Sequence, residues 1–539
     1  MAMTPFRRLS GLMTRSHNLK QAIGILFVTV LISNVLGLLR NIIIANRAGI
    51  AFGSIGSLDN YYAAFALPDF LYQILIVGAL ASAILPMLVK IDTDGDDEKF
   101  WQTYNVLLST AIVAIVLGVV VLYFVMPMIM PIIFPGFTHE NIVKTTLLAQ
   151  AMLLSPLFFT ISQISTSALQ AKRRFFAPAI APIVYNLAII GAALMLPKYG
   201  IPVLVFGVVF GAAAHFLVQM PSLLHLGWKF KFETGFKSRE VAYVVKLMVP
   251  RAIALTSTQL LLIAYYQIAS HFRSGAISIY TLTDDLQTAP VLLLANTLAM
   301  AILPDFARHF AKNEHAEFQY LIGKAIRLII FIFLPVTTFL IMFRQPIMEF
   351  YIALGHSIGH QEISSAVATF GFMVMSLFFQ GVVLLLARAY FARGDTIKPT
   401  VYSLLSLGVS WLLAEIFART TGLDVAGLAL AFSIGSFLNA VLLWFNLKLP
   451  LKTLFVDDNG RQNFLWLLLG SLVTAVVFAI SREIAPYVSS QLGVGQSTAK
   501  FVEIVIGLGL GMGFYLFWSK VLKLEQWQLI KTRQDSTES

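Results

Sequence analysis

The sequence predicts an all-α polytopic membrane protein with about 14 transmembrane helices, arranged as two six-helix lobes plus two extra C-terminal helices. Three observations predict it. First, 58% of the 539 residues are apolar and only 12% are charged, against roughly 25% charged in soluble domains. Second, the apolar residues are gathered into runs long enough to cross a bilayer, each bounded by charges or by Gly and Pro. Third, basic residues crowd into every other connection between those runs.

At about 20 residues per span, somewhat more if tilted, the runs fall near 20–46, 58–90, 103–133, 142–170, 176–197, 201–224 and 240–270. They continue near 278–308, 320–345, 363–392, 397–418, 423–446, 463–487 and 499–522. The first run follows a basic start (Arg7, Arg8, Arg15, Lys20) and so imitates a signal peptide. It has no small-residue cleavage site and many similar runs follow it, so it is read as a retained span.

Connections after even-numbered spans hold Lys90 and Lys99, then Lys172-Arg173-Arg174, then Lys229, Lys231, Lys237 and Arg239. Further along come Arg308 and Lys312, Arg393 and Lys398, and Lys448, Lys452 and Arg461. Connections after odd-numbered spans carry about one basic residue each, such as Lys144, Lys198, Arg273, Arg419 and Lys500. By the positive-inside rule both termini are cytoplasmic and the span number is even. The net charge of +11 is thereby accounted for without nucleic acid as a partner. The polar connections, about 10–15 residues at most, are too short for a folded catalytic module. The acidic stretch Asp92 to Glu98 has its glycine in the wrong place for a calcium loop and is read as a solvated loop. With no cysteine there are no disulfides, thiolate metal sites or cysteine nucleophiles.

The chain repeats at an offset of about 217 residues. Ala81-Ser-Ala-Ile-Leu-Pro86 returns as Ala299-Met-Ala-Ile-Leu-Pro304, and Pro182-Ile-Val-Tyr185 as Pro399-Thr-Val-Tyr402. Six spans separate the copies, so both run the same way across the membrane, as in transporters built from two similar bundles. This divides the chain into an N-lobe (1–228, spans 1–6), a C-lobe (229–452, spans 7–12), and spans 13 and 14 with a cytoplasmic tail (453–539).

Ionisable groups at bilayer depth are costly unless they face a cavity or a partner, which makes each a functional candidate. In the N-lobe these are Arg40, Asp59 and Asp69; in the C-lobe they are Lys246, Arg251, Asp284 and Asp285. Their concentration in spans 1, 2, 7 and 8 points to a polar cavity lined by those spans, with Pro68, Pro250 and Pro290 beside the charges. Other readings stay open. Arg40 and Asp59 suit interfacial snorkelling or helix capping, Lys246 an interfacial anchor, and Asp284-Asp285 a solvated helix start. His215 and Glu415 are candidates for proton or cation coupling, or packing residues.

Four segments carry a resemblance to a known family. Ser33-Asn-Val-Leu-Gly-Leu-Leu-Arg40 opens the first, and Asp59-Asn-Tyr-Tyr-Ala-Ala-Phe-Ala-Leu-Pro68, continuing through Gly78-Ala79 to Pro86, forms the second. The third is Arg174-Phe-Phe-Ala-Pro178 with Ala181-Pro182 and Asn186, and the fourth is Ala389-Tyr-Phe-Ala-Arg-Gly-Asp-Thr-Ile-Lys-Pro399. On these, from roughly residue 30 to 450, the chain resembles the MurJ/MviN lipid II flippases of the MOP exporter superfamily.

The resemblance implies a transporter, not an enzyme, in the bacterial cytoplasmic membrane. Its substrate would be undecaprenyl-pyrophosphate-linked peptidoglycan precursor, moved between leaflets by alternating access through an arginine-lined cavity. The implied partners are that lipid-linked substrate, membrane lipids and cell-wall synthesis proteins. No cofactor is expected; the drive would come from sodium, protons or the membrane potential, with Glu415 the candidate cation residue. Arg40, Asp59, Arg251, Asp284 and Asp285 are the expected substrate contacts, with Asn34 and Tyr72 at positions where the family carries arginine. Val77 replaces a family glutamate, and Asp285 the arginine of an Asp-Arg pair. A divergent exporter of another polyprenyl-linked glycan or amphipathic cation is the alternative. A membrane-embedded transferase would need a metal-binding carboxylate cluster or a catalytic loop, and neither is present in the sequence. An inert envelope-assembly scaffold would not need the polar groups kept at bilayer depth.

Overall fold

The computed structural model describes residues 19–74, 83–236, 238–353, 358–447, 449, 460–522 and 524. Val77, Gly78-Ala79 and the start of the first repeat copy lie outside them, as do the side chains of residues 247–255. Every regular element among the described residues is helical, and twelve helices are long and apolar enough to cross a membrane. The chain forms two compact units, Met1–Ser278 and Ile279–Ser539.

The first unit opens with α1 (Leu19–Phe52). The predicted second span is not one rod. A 3-10 turn (Gly56–Leu58) leads into α2 (Asp59–Ala64), α3 (Ala66–Tyr72) and, further on, α4 (Leu85–Thr93). Pro68 lies in the first turn of α3, where a missing amide costs no helical hydrogen bond. Next come α5 (Asp97–Ile133), α6 (His139–Met152), α7 (Leu154–Ala171), α8 (Phe176–Leu194), the single turn α9 (Leu196–Tyr199), α10 (Pro202–Leu217), α11 (Met220–His225) and α12 (Arg239–Ala269). The predicted span 142–170 is likewise two helices, with α7 restarting at Leu154 and Pro156 in its first turn.

The packing partners follow from which faces are apolar or small. α8 packs between α1 and α10, α7 lies against α5 and α10, and α12 runs along α5 and α3. Gly207 and Gly211 of α10 admit Ala192 and Tyr185 of α8 at distances no side chain would allow. α5 has 37 residues, about 55 Å of helix against a core of about 30 Å. Its residues Phe124, Met128 and Ile132 are 72%, 73% and 68% exposed; their four-residue spacing is that of a lipid-facing stripe.

On the side rich in basic residues the ends of these helices are tied together. Phe100, Tyr104, Leu107 and Trp228 share a buried cluster. Trp228 Nε1 donates to Asn105 Oδ1 (2.9 Å), and the Tyr104 hydroxyl bonds Ser165 Oγ (2.9 Å). Lys172, just past α7, pairs with Asp92 (2.6 Å) and Asp97 and lies 4.4 Å from the centre of the Phe100 ring. Part of the acidic loop is thus clamped rather than freely solvated. Burial pushes the Lys172 ammonium down, but the two carboxylates outweigh it and hold it above its usual value.

The second unit holds most of α13 (Ala276–Pro290), then a π-helical turn (Val291–Ala295), α14 (Asn296–Ala311), α15 (His315–Met342) and α16 (Arg344–Met348). α17 (His360–Val374), α18 (Leu377–Ala392), α19 (Ile397–Thr420), α20 (Val425–Asn446), α21 (Gly460–Gln491) and α22 (Gln496–Val521) complete it. α18 packs on α14, α15 and α20, and α19 on α20. The α21–α22 hairpin docks on α15: Gly507 and Gly511 meet the rings of Phe343 and Phe478, and the Tyr515 hydroxyl donates to Phe331 O (3.0 Å). The turn into α19 explains the Arg393-Gly-Asp395 signature. Gly394 has φ +74°, a conformation other residues resist, and Asp395 then accepts the free amide of Lys398 (3.1 Å). The hydrogen bond and ion pair from the Lys398 ammonium (2.9 Å) hold the Asp395 carboxyl below its usual value.

Candidate functional site

Within the first unit, polar groups converge from α1, α3, α7 and α8. Arg40 of α1 is half-buried; its Nη1 donates to Asn186 Oδ1 (3.2 Å) and its Nε to Asn41 Oδ1 (3.1 Å). Asn186 of α8 in turn donates to Ser33 O (3.2 Å) and Oγ (3.3 Å), so one amide ties two turns of α1 to α8. This bracing fixes the guanidinium, a planar group whose fork geometry matches phosphates and carboxylates in general. Asn34 lies half-buried on the same helix, six positions before Arg40.

Tyr72, at the end of α3, packs on Phe159 with ring centres 5.6 Å apart. Phe159 continues to Tyr185 (5.1 Å) and His215 (5.5 Å). Arg40, Asp69 and Tyr72 all lie within electrostatic reach of Tyr185. Asp69 is open to solvent on one side. The amide pair Gln73–Gln259, with Gln73 Nε2 donating to Gln259 Oε1 (2.9 Å), was not singled out from the sequence, and Asn186 was known there only as part of a segment. Their signal was a neutral amide inside an apolar run, weaker than the charges beside it.

His215 is a satisfied core residue. Its Nδ1 shares a 2.6 Å hydrogen bond with Ser162 Oγ, and Gln219 Nε2 donates to Ser162 Oγ (2.7 Å) and to His215 O (3.1 Å). Asp59 is buried at the start of α2, and its carboxylate is occupied. Gly275 N–H donates to Oδ2 (2.6 Å), while Ser278 N–H and Oγ donate to Oδ1 (2.8 and 2.6 Å). These are free groups at the N-terminus of α13, where a carboxylate is both acceptor and counter-charge.

In the second unit, Asp284 and Asp285 lie well inside α13 rather than at its start, both half-buried. Asp284 Oδ1 accepts from Gln287 Nε2 (3.2 Å), and Gln380 Nε2 of α18 donates to Gln287 Oε1 (3.1 Å) and Ser376 Oγ (2.7 Å). The π-helical turn follows directly after Pro290, where the missing amide loosens the helical ladder. Glu415 is held by Arg419 one turn on, near the end of α19. Lys246 is exposed on α12. Arg251 lies on α12, with its side chain outside the described residues. Among the described residues no group of three or more His, Asp or Glu could hold a metal ion. The arrangement places fixed hydrogen-bond donors and acceptors within helices long and apolar enough to cross a membrane.

The family model of the lipid II flippase MurJ matches residues 49–502. A probable lipid II flippase MurJ of Vibrio cholerae is 26% identical over 434 residues, covering 78% of this chain and 81% of the relative. The lipid II flippase MurJ of Burkholderia cenocepacia is 26% identical over 433 residues, covering 78% and 81%. Among solved structures, a lipid II flippase MurJ in an inward closed conformation superposes with a TM-score of 0.74 at 22% identity, covering 92% of this chain and 99% of that one. An inward-facing MATE family transporter of the MOP superfamily gives 0.59 at 16% identity, covering 77% and 94%. At such identities the structural likeness speaks for the fold, whereas the family model spans most of the sequence: the chain belongs to the MurJ lipid II flippase family.

Proposed function

We propose that this chain is a lipid II flippase, a transporter rather than an enzyme, that moves undecaprenyl-pyrophosphate-linked peptidoglycan precursor across the bacterial cytoplasmic membrane by alternating access. The observation that carries the reading is the family match over residues 49–502. The physical need agrees with it. An anionic head cannot cross about 30 Å of hydrocarbon unaided, and Arg40, braced by Asn186, supplies a planar donor fork at that depth. Substrate contact is assigned in this proposal to Arg40, Asn34 and Tyr72 in the first unit, to Arg251 on α12, and to Asp284 and Asp285 on α13. Asp59 is assigned a structural role, because its oxygens already serve the start of α13. The distribution of Lys and Arg between connections supports cytoplasmic termini.

The test is replacement of the chromosomal flippase of a host bacterium, under a depletable promoter, by this chain, with lipid II exposure on the outer leaflet as readout. Rescue that is lost with Arg40→Ala or Arg251→Ala is the expected result. Failure to rescue despite normal membrane expression would point to a different cargo. Rescue by Asp285→Arg alone would mean that the family cation missing at that position decides the cargo.

A further inference from the structure

Apart from the polar cluster, the first unit encloses a cavity of ≈ 710 Å³. Its walls come from the connections after the first, third, fifth and seventh spans: residues 52–60, 136–148, 200–202 and 269–274. By span parity these lie on the face poor in basic residues, which is the outer face in the orientation proposed above. The walls are knit together. Gly136 N–H donates to Ser270 Oγ (3.1 Å), Gln267 Nε2 donates to Ile132 O (3.2 Å), and Asp59 holds Gly275 and Ser278. A methyl group on Gly56 or Gly136 would overlap Ser274 or Ser270. The cavity is therefore a built feature of the fold rather than a gap between loose loops.

Its chemistry is selective. Two cations line it, Lys144 and Arg273. The acid of the wall, Asp59, accepts from Gly275 N–H, Ser278 N–H and Ser278 Oγ. Lys144 also pairs with Glu140 (2.5 Å), but both side chains are more than half exposed, and such a surface pair yields readily to a better anion. α6 and α10 start at the cavity wall and aim the positive ends of their backbones at it. Asn60 and Asn141 add amide groups, and Phe52, Phe137 and Phe272 add aromatic walls. Cations with amides and rings match a sugar or peptide that bears a carboxylate or phosphate, and the volume is that of a ligand of such size.

We infer that this cavity is an outer-face binding site for the anionic glycopeptide head of the lipid-linked cargo, holding it as it leaves the transporter. The identity of the cargo rests on the proposed function; the anion-binding character rests on the cavity alone.

The chain contains no cysteine, so Ser57→Cys carrying an environment-sensitive fluorophore reports on the cavity in purified full-length protein. The probes are soluble N-acetylmuramyl pentapeptide and glycerol 3-phosphate, the latter standing for a phospholipid head group. The expected result is a saturable signal with the muramyl peptide, with Kd raised at least about tenfold, the loss of one charge-assisted contact, in Lys144→Ala and in Arg273→Ala. Arg308→Ala, an exposed cation far along the chain, should keep the parent affinity. Lys144 is exposed, so Lys144→Ala remains informative should Arg273→Ala fold poorly. No saturable signal, or unchanged affinity in Lys144→Ala, overturns the inference. Glycerol 3-phosphate binding as tightly as the muramyl peptide also overturns it, in favour of a phospholipid site. Because the binding measurement needs no transport, a chain that binds the peptide yet fails to flip lipid II overturns only the proposed function. Flipping without saturable binding overturns only this inference.

Discussion

Replacing Asp59 by alanine removes a buried carboxylate that receives three hydrogen bonds from Gly275 and Ser278, residues 216 and 219 positions further along the chain. Bonds to a charged acceptor contribute roughly 1.5–3 kcal/mol each. The three share one carboxylate, and water re-enters once it is gone, so the contributions do not simply add. A loss of about 3 kcal/mol is expected for Asp59→Ala, since the start of α13 is left with bare amides. Asp59→Asn keeps one acceptor oxygen but loses the charge facing the helix end, and about 1 kcal/mol is expected for it. The assay is denaturant unfolding of the purified protein in detergent, followed by intrinsic fluorescence, with lipid II exposure normalised to the amount of folded protein. The expected result is a graded loss of stability, Ala beyond Asn, with near-normal transport per folded molecule. An unchanged unfolding midpoint together with lost transport would refute the reasoning and return Asp59 to the substrate contacts.

Three further outcomes follow from local geometry. Gly136→Ala would place its Cβ over the Ser270 backbone and 2.6 Å from His271 N; the 269–274 connection must then move, costing about 1–3 kcal/mol, read as lower thermal stability. Lys172→Met should cost about 1 kcal/mol and lose its salt sensitivity, because one ammonium serves both Asp92 and Asp97. The folded pKa of Lys172 is raised, so its contribution is complete below the ordinary value of 10.5 and fades as pH rises through the higher folded value. A pH titration of the stability difference between parent and Lys172→Met, flat across neutrality and falling only in strong alkali, checks the sign. Asp395→Ala should cost about 1 kcal/mol through the lost cap of α19. The folded pKa of Asp395 is lowered, so its contribution is present above the ordinary value of 3.8 and lost as pH falls through the folded one, and parent and variant should converge in acid.

The helices were legible because a run of about 20 apolar residues has few alternatives to crossing a bilayer. The breaks inside runs were not. Span 58–90 reads as continuous hydrophobicity, yet Phe65 N–H bonds Tyr62 O three residues back (3.2 Å), and the helix restarts there. Only packing distinguishes such a break from a continued turn. In the site, charge was the visible signal, and it singled out Arg40. The partner that braces it, Asn186, lies 146 residues away and carries no charge. Asp59 shows the opposite case: a prominent charge whose partners, a glycine amide and a serine, have no signature in sequence. Glu415 and Arg419 stand at the four-residue interval that places both on one helix face, and there they form an ion pair.

Lipid II flipping is measured on purified chain in liposomes holding fluorescently labelled lipid II, with a membrane-impermeant reagent that bleaches only outward-facing label. Bleaching is expected to pass from about half of the label, the share in one leaflet, to nearly all of it when the chain is present. Arg40→Ala and Asn186→Ala should each slow that passage while leaving the protein folded, because the fork and its brace act together. Folded, correctly inserted protein that leaves bleaching at about half, under an imposed membrane potential and an imposed sodium gradient alike, would mean that the chain does not flip lipid II.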